Sequence, residues 1–129
     1  MKEKAIPQLR TPKTGVSEAL GNLERLPQPP ARAALDRARQ IALVLEADRS
    51  PVPFVFPTDV GGIQFEWKSS GRELDIEVLP EGTQLSFLTL LGGKVTSEGE
   101  ILDNFERRLR SLLTWVVSPE VASKPSLAV

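Results

Sequence analysis

A chain of 129 residues, 40% hydrophobic and 26% charged, is sized for one globular domain and leaves little room for two. With no histidine, cysteine or tyrosine it forgoes imidazole-based general catalysis, thiol chemistry and the usual zinc ligand sets, and no disulfide can staple it. A net charge of −1 excludes a protein that relies on global positive charge to hold nucleic acid, and no apolar run approaches the ~18 residues of a membrane span.

Charge is segregated along the chain. Residues 1–14 carry four bases and one acid, whereas residues 59–82 carry six acids and two bases. The first 14 residues, with Pro7 and Pro12 and no hydrophobic period, are expected to form a flexible basic arm. They lack the apolar core of a secretory signal, which leaves the cytoplasm as the expected location. Thr14 or Ser17 is placed to cap a short helix with Val16, Ala19 or Leu20, Leu23 and Leu26 on one side. Pro27 breaks it, and Pro29 and Pro30 stand where a helix start tolerates proline. The next helix is predicted to run to about Ala47, with Ala34, Ala38, Ile41 and Leu45 as its apolar stripe.

From Pro51 the texture changes to β-branched and aromatic residues punctuated by glycine. "PFVFP" predicts a short strand whose prolines suit a sheet edge, "GGIQFEWK" and "RELDIEV" two strands, and "TQLSFLTLL" a fourth. Turns are expected at Ser70-Gly71 and Pro80-Glu81-Gly82. The run "GGKVTS" lacks the spacing of a phosphate loop, and Gly92-Gly93 reads as an ordinary turn. Ser97 stands three residues before Glu100, the capping-box spacing, and predicts a final helix with Ile101, Phe105, Leu109, Leu112 and Val116 on its stripe, ended by Pro119. Trp67 is expected in the core. Trp115 lies just off the helical stripe and is the better candidate for an exposed contact.

The order predicts an α+β fold: a four-stranded antiparallel meander sheet packed with N-terminal helices and a C-terminal helix. The domain spans residues 15–118, between the arm and a flexible tail at 119–129.

A two-residue turn at Ser70-Gly71 fixes every cross-strand partner. Trp67 then opposes Leu74, Phe65 opposes Ile76 and Ile63 opposes Val78, all apolar pairs. On the other face Lys68 opposes Glu73, Gln64 opposes Glu77, and Glu66 opposes Asp75. That last pair sets two carboxylates side by side, at a cost of a few tenths to about 1 kcal/mol. The following turn brings Leu88 beside Asp75 and Leu90 beside Glu73. An acidic row on a strand is most simply the solvated face of an amphipathic sheet, where it also discourages edge aggregation. The sharper reading is a docking surface for a protein with a basic face, with Glu66, Asp75 and Glu77 supplying charge and Leu88 and Leu90 apolar contact. A divalent cation between Glu66 and Asp75 ranks below it, because such a site wants more oxygen ligands, and acid–base work on a glycoside ranks last.

The expected function is therefore that of a non-catalytic protein-binding module of the antitoxin, immunity or chaperone-like kind, with no cofactor or metal. The alternative is a nucleic-acid-binding regulator using Arg107, Arg108 and Arg110 of the final helix together with the basic arm. The helix dipole explains those arginines without a ligand, since acids precede them.

Residues 56–82, "FPTDVGGIQFEWKSSGRELDIEVLPEG", resemble a pattern found in many small bacterial proteins of unassigned activity: Gly-Gly-Ile-x-Leu-Glu-Trp, a gap, Glu-Leu-x-Ile-Glu and a Pro-x-Gly turn. The resemblance rests on Gly61, Gly62, Glu66, Trp67, Glu73, Ile76, Glu77 and Gly82. It implies a compact α+β domain of bacterial or phage origin and no mechanism. The Trp-Asp-Gly-Tyr segment those proteins often carry upstream is missing here.

Overall fold

The computed structural model describes residues 9–10, 12–102 and 104–118. The expected tail with Pro119, and all of the expected arm before Leu9, lie outside the described residues.

The elements run β1 (Leu9–Arg10), α1 (Val16–Glu24), α2 (Arg32–Ala47), β2 (Phe54–Pro57), β3 (Ile63–Ser69), β4 (Arg72–Val78), β5 (Leu85–Leu91), β6 (Lys94–Ile101) and α3 (Phe105–Val117). Among the described residues the sheet is antiparallel throughout, in the order β1-β3-β4-β5-β6, with β2 also paired to β3. The β2 to β6 run is a five-stranded meander, one strand more than the sequence predicted. The two residues of β1 extend the β2 side by pairing with Ser69 and Lys68.

The extra strand corrects the reading of residues 94–101. Ser97 and Glu100 do not form a capping box; they lie in β6, opposite Thr89 and Ser86. Gly92 and Gly93, both at positive φ, turn the chain from β5 into β6. Helix α3 begins only at Phe105, after Asn104 in the left-handed region (φ 55). A capping box is worth about 1 kcal/mol, whereas a strand here satisfies the whole outer edge of β5 and buries Ile101 against Leu85.

The hairpin register is the one the sequence predicts: Ile63, Phe65 and Trp67 face Val78, Ile76 and Leu74, and Val78 and Ile76 go on to face Leu85 and Phe87. Ser70 (φ 51) and Gly71 (φ 83) both take positive φ, the geometry whose twist matches the flanking strands. The six apolar hairpin residues are fully buried, and the Phe65 and Trp67 rings stack with centroids 6.1 Å apart. Burying each such side chain contributes roughly 1.5–3 kcal/mol.

All three helices cover this one face. Helix α2 applies Ala34, Ala38, Ile41 and Leu45; α3 applies Leu109, Leu112 and Val116; α1 rests on α2 through Val16, Leu20 and Leu23. Polar ties fix the layer. Ala31 N–H donates to the Gly61 carbonyl at 2.9 Å, and Arg37 Nε to the Gly82 carbonyl at 3.0 Å. Buried Arg72 on β4 donates through Nη1 to the Trp115 and Ser118 carbonyls at 2.7 and 2.9 Å, clasping the C-terminus of α3. Its guanidinium also stacks on the Trp115 ring. Trp115 is therefore a core residue at 5% exposure, not the exposed contact its place off the stripe suggested. No helix among the described residues is long and apolar enough to cross a membrane.

Candidate functional site

With the helices on one face, the other face of the sheet is left uncovered among the described residues. Strand alternation sends Gln64, Glu66 and Lys68 of β3, Glu73, Asp75 and Glu77 of β4, and Ser86, Leu88 and Leu90 of β5 to it. The five residues expected to bind a partner, Glu66, Asp75, Glu77, Leu88 and Leu90, all lie on this face, and none is covered by a helix. Phe54 and Phe56 of β2 join it opposite Glu66 and Gln64. Glu98 and Glu100 of β6 join it opposite Leu88 and Ser86.

Glu66 and Asp75 are direct cross-strand partners, and Glu73 closes in as well: each of the three offers a carboxylate oxygen within 4.8 Å of the other two. Lys68 does not neutralise Glu73, its cross-strand partner. Its Nζ leans 3.9 Å from Glu66, at the edge of ion-pair range. Gln64 Nε2 donates to Glu66 at 3.0 Å. The Oδ1 of Asp75 is sealed from solvent and has no hydrogen-bond partner among the described residues.

Burial is the first reason the Asp75 carboxyl is pushed up to about 8 from an ordinary 3.8. A hydrogen bond with the Glu73 carboxyl and the charges of Glu73 and Glu66 add to it, while Lys68 pulls weakly the other way. Near neutrality the site therefore holds a proton between two acids, and an arriving cation can take that proton's place.

Three oxygens on an open strand face fall short of the six or more ligands a hard divalent cation prefers, and no metal is assigned to them.

Beside the acidic trio the face dips into a hollow of about 400 Å³ bordered by Asp75, Glu77, Leu88, Glu98 and Glu100. Its cause is local. Ser86 is short and lies between Glu77 on β4 and Glu100 on β6, so a gap remains where larger side chains flank it. Gln84 Nε2 hydrogen-bonds Glu100 from the rim.

Two of the three arginines of the alternative reading, Arg107 and Arg110, line one hollow beside Leu43 and Ala47. Arg110 Nε donates to Asp48 Oδ2 at 2.5 Å, which raises its pKa further, and Arg108 folds inward over the Phe87 ring at 5.4 Å. Arg107 is exposed.

Sequence reasoning missed Glu98, Glu100, Phe54 and Phe56 as members of the face. The alternation in "SEGEI", read as a strand after a Gly-Gly turn, carries the signal for the two glutamates. The phenylalanines needed the β2–β3 register, which no turn signature between those strands fixes.

No protein-family model, curated protein or solved structure matches this chain.

Proposed function

We propose that the chain is a non-catalytic protein-binding module, antitoxin, immunity or chaperone-like, which docks a partner with a basic surface on the open face of its sheet. The observation that carries the reading is the crowding of Glu66, Glu73 and Asp75 on that face with a sealed, unpartnered Asp75 oxygen. A fold gains nothing from that arrangement, since it must either oppose like charges across the strand pair or hold Asp75 protonated far above its ordinary range. A partner's lysines and arginines relieve it and are steered to it. Leu88, Leu90 and Phe54 supply apolar area beside the charge, the mixture that interfaces use. The reading carries with it a cytoplasmic location, which suits a chain without cysteine.

The test is a double variant, Glu66→Gln with Asp75→Asn. It should melt at higher temperature than the wild-type chain and recover less partner in affinity capture from the native cell. Undiminished capture removes the face from the function. An electrophoretic shift assay with mixed DNA and RNA at low salt separates this reading from nucleic-acid binding, whose phosphate contacts weaken steeply as salt rises.

A further inference from the structure

Resting on that reading, we infer that the partner is held by an arginine side chain laid into the hollow over Ser86, its guanidinium spanning from Glu77 to Glu100 and its stem against Leu88. The hollow has a definite shape and a definite sign. The carboxylates of Glu77, Glu98 and Glu100 and the carboxyl of Asp75 border it, and no cationic side chain among the described residues does. Lys68 lies toward Glu66, on the far side of Asp75.

The choice of arginine over lysine follows from strand spacing. Glu77 and Glu100 flank Ser86 on the strands to either side of β5, so their backbones stand two strand spacings apart, roughly 10 Å. Carboxylates leaning inward from that distance are met by a planar group with N–H donors on opposite edges. A guanidinium has five such donors in a fixed fork, whereas an ammonium is a compact point charge that sits on one carboxylate at a time. The guanidinium is also the more weakly hydrated cation, so less is lost on leaving water for a partly enclosed hollow. Leu88 offers the wall against which an aliphatic stem packs. The Ser86 hydroxyl lies beneath as a further acceptor.

Hexa-arginine, hexa-lysine and hexa-citrulline peptides are the probes, titrated at low salt by calorimetry and by amide chemical shifts of the whole chain. Hexa-arginine should bind at least about tenfold more tightly than hexa-lysine, with shifts centred on Ser86, Leu88 and Glu100, and hexa-citrulline should not bind. Ser86→Leu fills the hollow without touching a charge and should bring the two basic peptides to equal affinity. If that variant misfolds by circular dichroism, the near-isosteric pair Glu77→Gln with Glu100→Gln must abolish the arginine preference instead. Equal affinities in the wild-type chain, or a preference that survives these variants, overturn the arginine site. If basic peptides in that case still depend on Glu66 and Asp75, the wider docking face stands. Absence of binding by both basic peptides overturns the two together.

Discussion

Asp75 lies directly across the strand pair from Glu66, with its Oδ1 closed to solvent and unbonded, so an acid that water would keep ionised is held protonated near neutrality by the sheet itself. The sheet pins both backbones through the apolar pairs on the opposite face, and neither residue can swing away without breaking that register.

A pH dependence of stability follows. Folded Asp75 keeps its proton up to about pH 8, whereas the unfolded chain releases it near 3.8. Between those values the folded state binds the extra proton, so this group's contribution is fully present below pH 3.8 and is lost as pH rises toward about 8. The loss should be on the order of 2 kcal/mol, after allowing for solvent screening of a half-buried carboxyl. Urea unfolding at pH 5, 7 and 9 should show stability falling with pH in the wild-type chain and a flatter profile in Asp75→Asn. A wild-type profile as flat as that of the variant would mean that Asp75 titrates normally.

Gly82 is expected to tolerate no side chain. It takes φ 79, and a Cβ there would run into the Ala33 carbonyl at the start of α2. Gly82→Ala should cost about 3 kcal/mol, because backbone strain and a steric clash act together. Gly71 has φ 83 but open space around it, so Gly71→Ala should cost only about 1 kcal/mol. Thermal unfolding of the two variants side by side measures the difference, and equal losses would remove the Ala33 contact from the account.

Arg72 should act as the clasp between β4 and α3. Arg72→Leu removes the buried guanidinium that donates to the Trp115 and Ser118 carbonyls and lies on the Trp115 ring. The expected loss is about 2–3 kcal/mol, with Trp115 fluorescence shifted to the red as the end of α3 loosens. Unchanged fluorescence would place the clasp elsewhere.

The acids of the β6 edge should oppose edge-to-edge pairing of two copies. A second copy added antiparallel across β6, centred on Gly99, would set Glu98 against Glu100 of the other copy, a repulsion of up to about 1 kcal/mol for each such pair. Glu98→Thr with Glu100→Thr removes it. Sedimentation velocity should then show stronger concentration-dependent self-association in the variant than in the wild-type chain, and equal behaviour would remove the acids from this role.

The hairpin carrying Glu66 and Asp75 was legible residue by residue, because a two-residue turn and a period-2 apolar pattern determine the same register independently. The final helix was legible in its body and not in its start. Ser97-x-x-Glu100 satisfies both a capping box and a strand that alternates Glu98, Gly99 and Glu100, and no local property separates them. What decides is the outer edge of β5, whose backbone groups need a partner and whose Leu85 and Phe87 need cover. Trp115 was misjudged for a related reason. Its place off the stripe was right, but the partner that buries it, Arg72, comes from a strand 43 residues earlier.

Acting alone, the order of side chains determined everything set by short range: where helices α1 and α2 run, how β3, β4 and β5 pair, and that two acids must meet across one hairpin. Tertiary structure decided which face those acids occupy in the assembled layer, that all three helices crowd the opposite one, and that two more glutamates arrive from β6 to border a hollow. Periodicity is a property of neighbours in the chain, whereas cover and enclosure depend on segments tens of residues apart competing for the same surface.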